Sequence, residues 1–157
     1  MRIPLKDLYQ AFEALGVNGI YALEATQQSA SEGLYCFDLV LAEDPYVALR
    51  FYYNDVEDFV VPLALKVHLR KSRWKVSKES LEGVLPALMS AKEDEEWLSL
   101  TFNPPRGSNA LEVLKNAIEM AKAVVKAVGS KEEASIKGHL PVECGELFYL
   151  ISDLLNA

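Results

Sequence analysis

The 157-residue chain has only two cysteines, two histidines and no apolar run that approaches the ~20 residues a membrane-spanning helix requires. Cys36 and Cys144 lie far apart and form no Cys-x-x-Cys pair, so the sequence indicates neither a disulfide framework nor a thiol-rich zinc site. We favour two unpaired cysteines over a single Cys36–Cys144 disulfide. Because the N-terminal segment is amphipathic and has no signal-peptide core, we expect a soluble cytoplasmic protein that does not enter a membrane.

The sequence also offers few of the side chains on which acid–base catalysis depends. No paired-carboxylate or nucleophile signature accompanies the two histidines, so we expect no catalytic residue, no metal and no cofactor. An enzyme is the third hypothesis. It would use His139 and Cys144 at the start of a predicted helix, where the helix dipole lowers a thiol pKa. Glu143 and Glu146 add metal-ligand types there, but their spacing matches no recurrent metal site.

The composition is typical of a single globular domain. Half of the residues are hydrophobic and a quarter are charged, which excludes a disordered, collagen-like or coiled-coil chain. A chain of this length hides roughly 70% of the surface that its unfolded form exposes, so it needs no metal or disulfide to fold. We therefore expect residues 1–157 to form one domain.

Acidic residues are missing from one stretch of an otherwise acidic chain. The formal net charge of −7 argues against a protein that coats nucleic acid or anionic membrane with its whole surface. Residues 59–78, however, contain no Asp or Glu and hold six of the 16 basic residues. We expect one basic region on an acidic molecule.

Hydrophobic spacing divides the chain into helices and strands. Helical spacing predicts helices over 4–15, 77–91 and 109–128, and a last helix that begins at Pro141. Period-two alternation predicts four main strands, at 34–41, 47–53, 61–70 and 97–103. A further short strand is expected at 19–24 and a loop at 25–33. Gly83 and Pro86 should kink or split the second helix, and Pro62 should lie at the start of its strand or on a sheet edge.

The element order α-β-β-β-α-β-α-α predicts an α+β fold with a four-stranded antiparallel sheet and helices packed on one face. Residues 139–157 would form a C-terminal helix whose apolar stripe either docks on the protein or mates with a second copy in a homo-oligomer. The element order and the small acidic chain resemble the dimeric type III secretion chaperones over residues 5–105. This resemblance, one of fold alone, implies a dimeric protein- or peptide-binding module.

The strand positions that point away from the apolar side form the main candidate site. Aromatic rings stack on the bases of single-stranded nucleic acid, while Lys and Arg neutralise its phosphates. We predict a DNA or RNA interface formed by Tyr46, Arg50, Tyr52, Lys66, His68, Arg70, Arg73, Trp74, Lys75 and Trp97. The alternative is an ordinary solvated sheet face on which Asp38 and Arg50 pair across the hairpin. No ribonucleoprotein motif is present.

The loop before the helix at 109–128 is a second candidate site. Arg106, Gly107 and Ser108 lead into the helix, where free backbone N–H groups and the helix dipole attract an anion. The loop does not follow the Walker pattern, and an ordinary helix cap beside an arginine is the alternative.

Overall fold

The computed structural model of the protein describes residues 1–17, 35–147 and 149–151. The elements in these ranges are, in chain order, β1 (Ile3–Pro4), α1 (Leu5–Ala14), β2 (Tyr35–Glu43), β3 (Tyr46–Asn54), β4 (Phe59–Arg70), α2 (Lys78–Glu82), β5 (Leu88–Glu93), β6 (Trp97–Phe102), α3 (Ala110–Val128) and β7 (Gly138–Val142). A 3₁₀ turn follows at Gly145–Leu147. The strand expected at 19–24 and the loop expected at 25–33 lie outside the described residues.

The described strands form one antiparallel sheet in the order β5-β6-β4-β3-β2-β7. The short β1 pairs with the first two residues of β4, on the edge that β6 occupies further along the strand. The α+β class is confirmed. The predicted four-stranded sheet is wrong, because the sheet has seven strands in the described part of the chain.

The additional strands lie where local spacing is misleading. Only α2 is helical within the predicted helix at 77–91, because Gly83 and Pro86 interrupt it, and β5 follows. β7 occupies the segment in which Pro141 was expected to begin the last helix. β1 has two residues and is too short to show a period.

The long helix α3 begins and ends as predicted. The Asn109 side chain accepts a hydrogen bond from the backbone N–H of Glu112 at 2.9 Å, and Gly129 ends the helix with a left-handed φ of 76°. No helix in the described ranges is long and apolar enough to cross a membrane.

Pro62 was expected at the start of its strand or on a sheet edge, and it lies inside β4, which has strands on both sides. It is opposite Phe51, at a shift in the β3–β4 register. On the edge of β4 that faces away from β3, β1 pairs with residues 59–60 and β6 pairs with residues 65–70. Pro62 lies between these two paired ranges. A proline is tolerated at this irregular point because no regular ladder bond is required there.

Helices α1 and α3 cover one face of the sheet. Leu8 and Phe12 from α1 and Leu114 from α3 are buried against sheet residues such as Leu49 and Leu65. Each such side chain contributes roughly 1.5–3 kcal/mol when it is fully removed from water. The helices therefore fix the sheet and leave its opposite face for other contacts.

Part of that opposite face is covered by the end of the described chain. We call residues 143–147 and 149–151 the strap. Its Leu147 and Ile151 are buried in a cluster with Cys36 and Tyr52. A disulfide joins Cys36 to Cys144, so the expectation of two unpaired cysteines is wrong. That residues 139–157 also mate with a second copy stays a prediction.

Candidate nucleic-acid interface

The strand register places many of the predicted interface residues on the sheet face opposite the helices. The cross-strand rows on this face are Asp38–Arg50–Ala64, Ala48–Lys66–Thr101, Tyr46–His68–Ser99 and Arg70–Trp97. Residues directly opposite each other on neighbouring strands share a face, so these side chains lie together. Burial nevertheless divides the face into an open half and a covered half.

The open half is a groove at the end of β4, with a volume of about 440 Å³. We call it the aromatic groove, and its lining residues are Glu43, Asp44, Tyr46, His68, Arg70, Arg73, Trp74 and Trp97. Six of the eight were predicted from the sequence. Glu43 and Asp44 were missed because the turn between β2 and β3 was treated only as a connection. The turn immediately precedes Tyr46, which is the signal that could have placed it at the groove.

Cations lie beside the rings of the groove. The guanidinium carbon of Arg70 is 4.9 Å from the ring centre of Trp97, and that of Arg73 is 4.9 Å from the ring centre of Trp74. Trp97 is 36% exposed, so part of its indole is accessible to a ligand. A cation over an aromatic ring is favourable, and it occupies that face of the ring. A base that stacks on the same indole uses its other face or displaces the guanidinium.

Asp44 reduces the positive charge of the groove. Its Oδ2 is 2.8 Å from Arg73 Nε, and its Oδ1 accepts a hydrogen bond from Trp74 Nε1 at 3.2 Å. More than half of each side chain in the Arg73–Asp44 pair is exposed, so this ion pair is weak. Arg70 forms no ion pair within the part of the chain that the structure describes, which makes it the cation best placed for a phosphate.

His68 and Tyr46 pack together in the groove with their ring centres 5.2 Å apart. Burial, together with the charges of Lys66 and Arg50, lowers the pKa of His68, whose Nδ1 forms a 2.9 Å hydrogen bond with Ser99 Oγ. Burial and the nearby Asp38 charge raise the pKa of Tyr46. At neutral pH both rings are therefore uncharged.

In the covered half, Arg50 makes the ion pair that the alternative interpretation of the face expected. Its Nε and Nη2 donate to the two carboxylate oxygens of Asp38 at 2.7 and 3.0 Å. The Tyr46 hydroxyl donates to the same carboxylate. Arg50 is thus committed to the sheet and is not free to neutralise a phosphate in this structure.

Tyr52 and Lys66 are also withdrawn from solvent. Tyr52 is 2% exposed beneath the strap, and Lys66 is 7% exposed. Lys66 Nζ donates to Thr101 Oγ1 at 2.6 Å and lies 3.7 Å from a carboxylate oxygen of Glu146 in the strap. Burial, and then the charge of Arg50, lower the pKa of Lys66. A ligand cannot reach either residue while the strap is in place.

Lys75 and the helix-start loop lie outside the groove. Lys75 is exposed in the segment that follows β4. Ser108 Oγ donates to Glu112 Oε2 at 2.8 Å, so a carboxylate already stands at the start of α3. The backbone carbonyl of Arg106 accepts a hydrogen bond from Asn116 Nδ2 at 2.6 Å. These contacts favour the helix-cap interpretation of this loop over an anion site, because Glu112 already complements the helix dipole.

The structure separates His139 from Cys144. His139 lies opposite Leu39 and is 6.5 Å, ring centre to ring centre, from Phe37, on the face that packs against the helices. Cys144 is on the other face, and its sulfur is bonded to Cys36. It is therefore not a thiolate here. Among the described residues, no three His, Cys, Asp or Glu side chains are placed to hold a metal ion.

The chain matches no protein-family model, no curated protein and no solved structure.

Proposed function

We propose that the protein is a non-enzymatic binding protein that takes single-stranded nucleic acid in the aromatic groove. The observation that supports this most directly is the pairing of the partly exposed Trp97 with Arg70, which ends β4 within the acid-free residues 59–78. A base stacked on the indole contributes about 1–3 kcal/mol. The neighbouring guanidinium binds the phosphate through charge-assisted hydrogen bonds.

The interface we propose is smaller than the sequence predicted. Arg50, Tyr52 and Lys66 are in the covered half, and Lys75 does not line the groove. A volume of about 440 Å³ is within the range of roughly 300–1,000 Å³ usual for ligand pockets. The groove is therefore large enough for a ligand of nucleotide size, and Asp44 limits how strongly it attracts phosphate.

A protein- or peptide-binding module has less support. It would require an apolar surface, and the exposed large apolar side chains of the described residues are spread along the chain over loop, strand and strap positions: Met1, Val56, Val84, Met89, Trp97, Leu140 and Tyr149. Homo-oligomer formation and a cytoplasmic location stay predictions.

Fluorescence anisotropy with labelled single-stranded DNA and RNA tests the proposal on the oxidised protein. We expect binding that weakens as salt rises, because phosphate contacts release counterions. Trp97→Ala should weaken binding by at least about fivefold, the equivalent of the smallest expected stacking contribution. Arg70→Ala should weaken binding and also reduce its dependence on salt.

Lys115→Ala provides the matched control for Arg70→Ala. Lys115 is an exposed cation in the first half of α3, on the helix that covers the opposite face of the sheet, so the variant removes the same charge outside the groove. Equal affinities for the wild type and the Arg70→Ala variant would contradict the proposal. Binding that does not respond to salt would indicate an apolar partner instead.

A further inference from the structure

A carboxylate of the strap lies among cations and a hydroxyl of the sheet. Glu146 Oε1 is 3.7 Å from Lys66 Nζ and accepts from Ser90 Oγ at 3.3 Å, while Oε2 is 3.2 Å from Lys92 Nζ. Burial opposes ionisation of Glu146, but the hydrogen bond from Lys92 and the charge of Lys66 outweigh it and lower the Glu146 pKa. The sheet therefore presents an anion site, and the strap supplies the anion.

This anion site adjoins the aromatic groove. Lys92 in β5 pairs with Ser99 in β6, which in turn pairs with His68 in β4. Arg70 is two residues further along β4, a separation of about 6.6 Å along a strand. An extended polymer whose base stacks in the groove could thus place a neighbouring phosphate at the anion site.

The disulfide is the covalent link between the strap and β2, the strand next to the edge strand β7. It joins Cys36 of β2 to Cys144, two residues before Glu146. The strap buries Leu147 and Ile151, but its ion pair with Lys92 is largely exposed. An exposed ion pair contributes little, and each residue of the strap loses conformational freedom when it is ordered. The disulfide therefore offsets much of the conformational-entropy cost of ordering the strap on the sheet.

We propose that reduction of the Cys36–Cys144 disulfide frees the strap, and that Lys66 and Lys92 then bind a second phosphate of the single-stranded nucleic acid in the groove. This inference rests on the proposed function and makes Glu146 an internal competitor for that phosphate. It also returns Lys66 to the interface from which the strap excludes it.

The reductant required is a dithiol. Its thiolate attacks one sulfur of the disulfide, the S–S bond breaks, and a mixed disulfide forms with one cysteine. The second thiol of the reductant then displaces that cysteine. Both cysteines end as thiols with two electrons and two protons gained, and the dithiol becomes a disulfide.

Hydrogen exchange on the 157-residue chain tests release of the strap. We expect amides of the strap and of β7 to lose most of their protection after reduction, whereas those of α3, in the helix-side core, lose no more than the fall in global stability accounts for. The Cys36→Ala/Cys144→Ala variant provides the same comparison without a reductant. This variant is needed because Cys36 and Cys144 are only 1% and 5% exposed, so a reductant attacks their disulfide slowly.

The same labelled oligonucleotides test the phosphate site. We expect the reduced protein and the double-alanine variant to bind at least tenfold more tightly than the oxidised protein. The logarithmic salt dependence should be steeper by about 0.7 for each phosphate newly neutralised. In the oxidised protein, Glu146→Gln removes the competing charge and should tighten binding by a smaller factor.

Lys92→Ala should remove most of the gain that reduction produces. Lys122→Ala is its control, because Lys122 is an exposed lysine paired with Glu119 on α3, far from the sheet face. The gain on reduction should persist in that control.

The outcomes separate this inference from the proposed function. Groove binding that is unchanged by reduction overturns the inference and leaves the proposed function standing. Failure of the strap to exchange faster in both disulfide-free forms also overturns it. Binding by the reduced form alone supports the inference and overturns binding in the groove of the oxidised protein. If neither form binds, both proposals are wrong.

Discussion

At the scale of single residues, the covered half of the sheet face depends on a buried ion pair. The Asp38 side chain is 1% exposed and that of Arg50 is 14% exposed. Desolvation of two charges is costly and is compensated only when their hydrogen bonds are satisfied. Asp38 meets this condition by accepting two hydrogen bonds from Arg50 and one from Tyr46.

Removing one partner should therefore be far more damaging than breaking a surface pair. Asp38→Ala leaves a buried guanidinium without its carboxylate and should lower the free energy of unfolding by about 3–5 kcal/mol. The control is Glu119→Ala, which breaks the exposed pair with Lys122 and should cost less than about 1 kcal/mol. Urea denaturation measures both. Similar losses in the two variants would show that Asp38 is not a buried partner.

At the scale of elements, the spacing of apolar residues predicts those helices and strands that have a clear period of their own. α3 was predicted closely because a clean apolar stripe is bounded by a capping Asn109 and a terminal Gly129. The β2–β3 hairpin was predicted because period-two alternation continues on both sides of a turn. β5 was not predicted, because Leu85 and Leu88 have helical spacing although Leu88 begins a strand. Edge-strand pairing of this kind is decided by tertiary contacts.

The same distinction applies to the candidate site. Alternation within β4 and β6 places Lys66, Arg70 and Trp97 on one face, and the register agrees. What covers that face depends on where a distant segment packs. Cys36 is bonded to Cys144, and Lys66 lies beside Glu146. Both partners are far along the chain, and no spacing rule connects either pair.

The junction between the loop and α3 gives a prediction at this scale. A Cβ at Gly107 would lie 2.8 Å from the backbone nitrogen of Val113, whereas a Cβ at Gly83 meets its nearest atom at 3.5 Å. Gly107→Ala should therefore lower the free energy of unfolding by about 1–3 kcal/mol, because the helix backbone must shift.

Gly83→Ala is the matched substitution. Gly83 has right-handed helical φ and ψ at the end of α2, so alanine fits and restricts the unfolded chain. Its effect on the unfolding midpoint should be neutral or stabilising. A Gly107→Ala variant as stable as Gly83→Ala would show that the loop does not press against α3.

At the scale of the whole molecule, the disulfide encloses most of the fold. Cys36 and Cys144 are 108 residues apart, and β3, β4, β5, β6, β7, α2 and α3 lie between them. Only β1 and α1 of the described elements precede the closed loop. The crosslink therefore restricts the unfolded chain strongly, in addition to its effect on the strap.

The Cys36→Ala/Cys144→Ala variant should lose about 4.7 kcal/mol of unfolding free energy, because a crosslink across roughly 100 residues removes that much chain entropy from the unfolded state. The urea m-value should rise at the same time, since an uncrosslinked chain exposes more surface when it unfolds. Reductant should lower the midpoint of the wild type and leave that of the variant unchanged. If the variant keeps the wild-type midpoint and m-value, the disulfide does not constrain the unfolded chain and acts on the strap alone.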